Sequence, residues 1–162
     1  MSHALRESAM LDPLVFVDLF AETYALLQRH TTRVSHVASL RQSPPVSICA
    51  NWLVGHIVAT RAHVLVGLLD APNTWDLAML ARYIPEAPIS DGRGAQQFAD
   101  LLRDLERSQD QLLAILSVIT PATLESVVDQ RTIGAHLLFY HAHEAYHAGQ
   151  LDIVCQLARA NG

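Results

Sequence analysis

From His136 to Val154 the chain reads HLLFYHAHEAYHAGQLDIV, and within it His136, Tyr140, His143, His147, Gln150 and Val154 recur at intervals of three and four. That period belongs to one face of an α-helix and to no strand. The stretch also holds four of the nine histidines of the chain. His143 and His147 stand one turn apart, with Cβ atoms about 5–6 Å from each other. At that spacing two imidazole nitrogens can reach one metal ion at about 2.0–2.1 Å. Two ligands seldom hold a metal, so a third must come from another element.

The rest of the sequence supplies three more helical segments and no sustained apolar–polar alternation, so strands are not expected. The first segment opens at Asp12-Pro13, a cap followed by proline in the first turn. It carries Phe16, Phe20, Tyr24, Leu27 and Val34 on one face, which predicts a helix over about 12–40. The second runs from about Ser47 to Leu69 with Arg61 as its only full charge. Cys49, Trp52, His56, Thr60, His63 and Gly67 share one of its faces, and a helix this apolar is buried on most sides. The third, about 95–119, sets an inner stripe of Phe98, Leu102, Leu105, Leu112, Leu116 and Ile119 against Asp100, Arg103, Asp104, Arg107 and Asp110. The last is expected over about 132–160, capped by Thr132, with one helical turn possible in the link after Pro121.

Between the second and third segments, residues 70–94 are punctuated by Pro72, Pro85, Pro88, Gly92 and Gly94. A connection this long is either a lid or a crossover, and Trp75 to Tyr83 suits a short helix within it. The expected fold is therefore all-α: a four-helix bundle in up-down-down-up order, with a long crossover between helices two and three. Helix two would then lie antiparallel to helix four, and His56 would come level with His143 and His147. His63 and His136, roughly 10 Å further along each axis, would sit outside that site as hydrogen-bonded core residues or pocket lining. His3, His30 and His36 read as surface or edge residues, and His141 points to a different side of its helix from His143.

At 162 residues, 51% hydrophobic and 17% charged, the sequence predicts one folded domain over 1–162 rather than a disordered chain. Net charge is −5 without a basic run, so nucleic acid is not an expected partner. No apolar run reaches about 18 residues and MSHALRESAM is not of signal-peptide type, so a cytoplasmic protein without a membrane partner is expected. Cys49 and Cys155 show no CxxC spacing, which argues against a disulfide framework or a cysteine zinc site.

HEAYH at 143–147 matches the zincin pattern H-E-x-x-H, with Glu144 in the general-base position. The longer zincin form fails at Gln150 and Ile153, and zincin strands are not expected. Glu144-Ala145-Tyr146-His147 is also a Glu-x-x-His of di-iron bundles, but that design needs a second copy and two further inward glutamates. The spacing of NWLVGHIVATRAH and, some eighty residues later, HEAYHAGQLDIV resembles the DinB-like superfamily of metalloenzymes, also called DinB/YfiT-like, over nearly the whole chain. The resemblance rests on a histidine in the middle of helix two and on H-x-x-x-H-x-G-Q in helix four. It departs at Ala148, where many relatives carry arginine.

The resemblance implies metal ligation by His56, His143 and His147, the same trio that the helix faces bring together, in a bundle that is often a homodimer. It also implies an S-transferase or isomerase using a low-molecular-weight thiol of the mycothiol, bacillithiol or glutathione type. Imidazole ligands suit zinc, nickel, copper and iron, of which zinc or nickel is expected here. Three neutral histidines leave an open coordination position, where a thiol would be deprotonated and could attack a small electrophile. Tyr140 and Gln150 are pocket candidates for orienting substrate. Glu144 could hold a ligand's second nitrogen or act as a base, but its offset from the histidine stripe favours exposure. A metal-dependent hydrolase and a non-catalytic metal-binding or stress-related bundle are the alternatives.

Overall fold

The computed structural model describes residues 11–42, 48–84 and 94–160. Within them the chain is mostly helical: α1 (Pro13–Thr31), α2 (His36–Ser39), α3 (Ala50–His63), α4 (Leu77–Leu80), α5 (Phe98–Leu116), α6 (Pro121–Glu125) and α7 (Ile133–Ala160). The Asp12 side chain accepts from the Leu14 N–H, and Pro13 occupies the first turn, so the helix begins where the sequence placed it. Its end comes earlier than expected. The hydroxyls of Thr31 and Thr32 bond back to the carbonyls of Leu27 and Gln28, and Arg33 leaves the helix at φ 61°. Back-bonding threonines offer the last turn an alternative to the helical ladder. What reads as one helix to residue 40 is thus α1, a break and the single turn of α2, capped by Ser35.

The α-helical part of α3 passes at its C-terminal end into a π-helical turn over Val64–Leu68. The crossover then carries α4, capped by Asp76, and a 3₁₀ turn over Ala81–Tyr83, close to the short helix expected there. Trp75 is buried beneath the Arg107 guanidinium, 4.0 Å from the ring centroid. Tyr83 is buried too, and its hydroxyl accepts from the Gln96 N–H and donates to Asn51, whose amide donates to the Gln96 carbonyl. Pro85, Pro88 and Gly92 lie outside the described residues, as do Ser47 and His3.

In α5 the interior positions are Phe98, Leu101, Leu105, Leu112 and Leu116 together with Ser108 and Gln109; Leu102 and Ile119 of the expected stripe are half-buried. Pro121 opens the one-turn α6. A hairpin follows that the sequence did not announce: β1 (Val127–Val128) pairs with β2 (Arg131–Thr132). Asp129 and Gln130 both sit at positive φ, the backbone of a two-residue primed turn. Two-residue strands are too short to show an alternation. The Thr132 hydroxyl then accepts from the Ala135 N–H at the start of α7.

The four long helices pack as α1 on α7 and α5, and α3 on α5 and α7. Along α1 and α7 partners ascend together, Thr23 with His141 and His30 with Asp152. Along α3 and α5 they also ascend together, Asn51 with Gln96 and Arg61 with Ser108. Along α3 and α7 they run oppositely, His56 beside His143 and His63 beside Tyr140. The core between them contains Phe16, Phe20, Leu27, Leu53, Ile57, Leu105 and Leu151. No helix among the described residues is long and apolar enough to cross a membrane.

Candidate metal centre

His56, in the middle of α3, meets His143 and His147 of α7, and one ligand atom of each lies within 4.8 Å of the others. The Nε2 atoms of His143 and His147 are 3.1 Å apart, and those of His56 and His143 3.4 Å. Nitrogens bound to a tetrahedral ion at about 2.0–2.1 Å stand about 3.3–3.4 Å from one another. These two spacings fit such an ion.

Two of the rings are held so that Nε2 keeps its lone pair. His56 Nδ1 donates to the Tyr83 carbonyl at 2.7 Å, and a carbonyl can only accept. His147 Nδ1 donates to the Gln150 amide oxygen at 2.7 Å, and the Gln150 amide nitrogen donates to the Tyr146 hydroxyl. Such bonds fix the tautomer and aim of a metal-binding imidazole. His143 Nδ1 is buried and finds no partner among the described residues. Burial pushes the His147 imidazolium down to about 4, and the neighbouring His143 and His56 act in the same direction. His143 is lowered as well, first by burial and then by His56. His143 and His147 are thus held toward the uncharged form that a cation requires, and the bare Nε2 acceptors of His56 and His147 converge with the third imidazole.

Aromatic rings surround the trio. Trp52 lies flat on His56, with centroids 4.8 Å apart and planes 5° apart. Phe139 stacks beside His143, and Tyr146 meets His147 edge-on. Phe139 and Tyr146 are exposed, so the α7 side of the site opens toward solvent.

The other histidines stand apart from the cluster. His141 bonds to Thr23 and packs edge-on against Phe20, on a different side of α7 as expected. His136 is half-buried and donates from Nε2 to the Val128 carbonyl, the hydrogen-bonded role expected of it. His63 is not a core residue: it is exposed, its ring 6.0 Å from that of Tyr140. His30 pairs with Asp152, and His36 Nδ1 accepts from the Phe98 N–H.

Of the three pocket candidates, only half-buried Tyr140 is free of a fixed polar partner among the described residues. Gln150 is occupied in holding His147. Glu144 corrects the sequence reading outright, being 3% exposed rather than at the surface. Both its carboxylate oxygens accept from Arg61, at 2.7 Å each, and Arg61 also donates to Ser108. The arc of α7 covered by α3 extends past the histidine stripe, and an offset of one residue still falls inside it. Arg61 and Tyr83 were the functional neighbours that sequence reasoning missed. The signal for Arg61 was there: the only full charge on one apolar helix needs an opposite charge on another. For Tyr83 there was none, because a backbone carbonyl leaves no mark in a sequence.

A family model described as the DinB superfamily matches residues 19–151. No curated protein matches the chain.

Proposed function

The chain belongs to the DinB superfamily, and from that premise we propose that it is a divalent-metal enzyme transferring a low-molecular-weight thiol to a small electrophile. His56, His143 and His147 would hold the ion, zinc or nickel, by their Nε2 atoms. When bound, the ion supplies an open coordination position at which a thiol loses its proton. The observation that carries this reading is the convergence of three imidazoles, two of them aimed by Nδ1 bonds.

The chain's own residues favour an incoming thiol over the other chemistries. Cys49 and Cys155 are buried, and burial raises both thiols, that of Cys155 to about 11, so neither supplies a thiolate. Glu144 would serve a hydrolase as general base, but its two oxygens are committed to Arg61. A purely structural metal would call for a fourth protein ligand, and the cluster among the described residues has three. Tyr140, half-buried and one turn from His143, is the side chain left to orient substrate.

We read the helix directions as those of an up-down-down-up four-helix bundle forming one cytoplasmic domain over residues 1–162. A homodimer is part of the same reading. It draws support from an exposed apolar stripe on α7 that includes Leu138, Phe139, Tyr146, Ile153 and Leu157, and sedimentation analysis reads it directly. The function is tested by elemental analysis together with thiol-conjugation assays of zinc- or nickel-loaded protein. About one ion per chain and conjugating activity are expected, both lost in His147→Ala. Conjugation that persists in that variant would sink the proposal.

A further inference from the structure

South of the metal centre along α3 the same helix face continues, and it becomes the floor of an apolar groove of about 330 Å³. Ala59, His63 and Gly67 form this floor; Leu77, Leu80 and Ala81 of α4 and the 3₁₀ turn form the opposite wall. Ala59 is three residues beyond His56, and His63 one further turn on, so groove and centre share one face over about 10 Å of helix. They share a wall as well. The 3₁₀ turn that contributes Ala81 ends at Tyr83, whose carbonyl holds His56. Tyr140 joins them from the α7 side, its ring against His63 and its position one turn from His143.

The lining is chemically one-sided. Among the described residues no charged side chain takes part, His63 is the only polar one, and small residues keep the floor low. The volume is at the small end of ligand pockets, which run from about 300 Å³. It suits part of a small molecule rather than a peptide. Resting on the function proposed above, we propose that this groove binds the aliphatic portion of a co-substrate whose polar head reaches His56, His143 and His147. The preferred ligand is thus an elongated molecule, with a metal-seeking group at one end and an uncharged apolar tail at the other.

The test uses cobalt(II)-loaded protein and the n-alkanethiols from ethanethiol to hexanethiol, with thiol ligation read from visible absorption. Each methylene buried adds about fourfold in affinity. Hexanethiol is therefore expected to bind on the order of a hundredfold more tightly than ethanethiol. Ala81→Trp, which fills the groove from an exposed position, should bring that ratio close to one; Leu77→Ser, which removes part of the wall, should reduce it. Equal affinity across the series in the wild type overturns the groove and leaves the thiol reading standing. Hexan-1-ol is the independent probe, read from the NMR shifts of the Ala59 and Ala81 methyl groups in zinc-loaded protein. Shifts at both methyls without any response to thiols would uphold the groove and sink the thiol reading. Unmoved methyls would overturn the groove.

Discussion

At the scale of single residues, the protonation of His147 links the centre to stability. Unfolded, this imidazole takes its proton near 6.5; folded and metal-free, burial holds it back until about 4. Between those values the unfolded chain binds more protons than the folded one, so stability rises with pH. Metal-free protein is expected to lose stability as pH falls from about 6.5 to about 4, with no further loss from this group below that. Urea titrations at several pH values would measure it, beside a His147→Gln variant in which that part of the slope should vanish. An identical slope in the variant would mean that other groups carry the acid response. Metal and protons seek the same Nε2 atom, so through this group the stabilisation added by zinc should fade only as pH falls through about 4, where the folded, metal-free ring takes its proton.

Among the secondary-structure elements, the contact between α3 and the crossover matters most to the site. Gly55 lies one residue before His56, and a Cβ built there would stand 2.2 Å from the Tyr83 ring. The glycine lets the 3₁₀ turn approach closely enough for the Tyr83 carbonyl to meet His56 Nδ1 at 2.7 Å. Gly55→Ala should push Tyr83 away and free the His56 ring, while the core of α3 stays apolar. Loss of such a supporting bond typically costs about 10- to 100-fold in metal affinity. Competition against a zinc-binding dye would read it. A folded variant with wild-type affinity would show that the carbonyl is incidental. The crossover is thus more than a link, since it aims one candidate ligand and walls the groove beside it.

For the molecule as a whole, Arg61 is the side chain that ties the helices together. It projects from α3, is 2% exposed, pairs with Glu144 of α7, donates to Ser108 of α5 and lies 5.7 Å from the Tyr24 ring centroid of α1. Removing one partner of a buried ion pair leaves the other charge stranded, at a cost of about 3–5 kcal/mol, whereas replacing both with apolar residues is often neutral. Glu144→Ala should therefore destabilise by about that amount, and Arg61→Met with Glu144→Leu should recover most of it. Denaturant unfolding of metal-free proteins checks both. A double variant no more stable than the single one would mean that the pair is needed for helix register as well as charge balance.

Periodicity alone carried the helical segments, the face shared by His136, Tyr140, His143 and His147, and the candidate trio with His56, because spacing along a helix decides which side a residue occupies. The cap at Asp12 and the turn after Pro121 were equally local and equally legible. Depth, partners and breaks were not. Glu144 is interior because α3 covers more of α7 than the histidine stripe, whereas His63 is exposed on the groove side of α3 although its ring neighbours Tyr140. Gln150 supports His147 because its amide folds back one turn, a choice made by hydrogen bonding rather than by position. The end of α1 at Thr31 and the hairpin at Val127–Thr132 depend on hydroxyl back-bonding and two positive φ angles, both too short-ranged for a periodic signal. The sequence by itself determined which side chains share a helix face; tertiary packing decided which of them are shielded, and shielding is what lowers the His143 and His147 imidazoles and locks the ion pair.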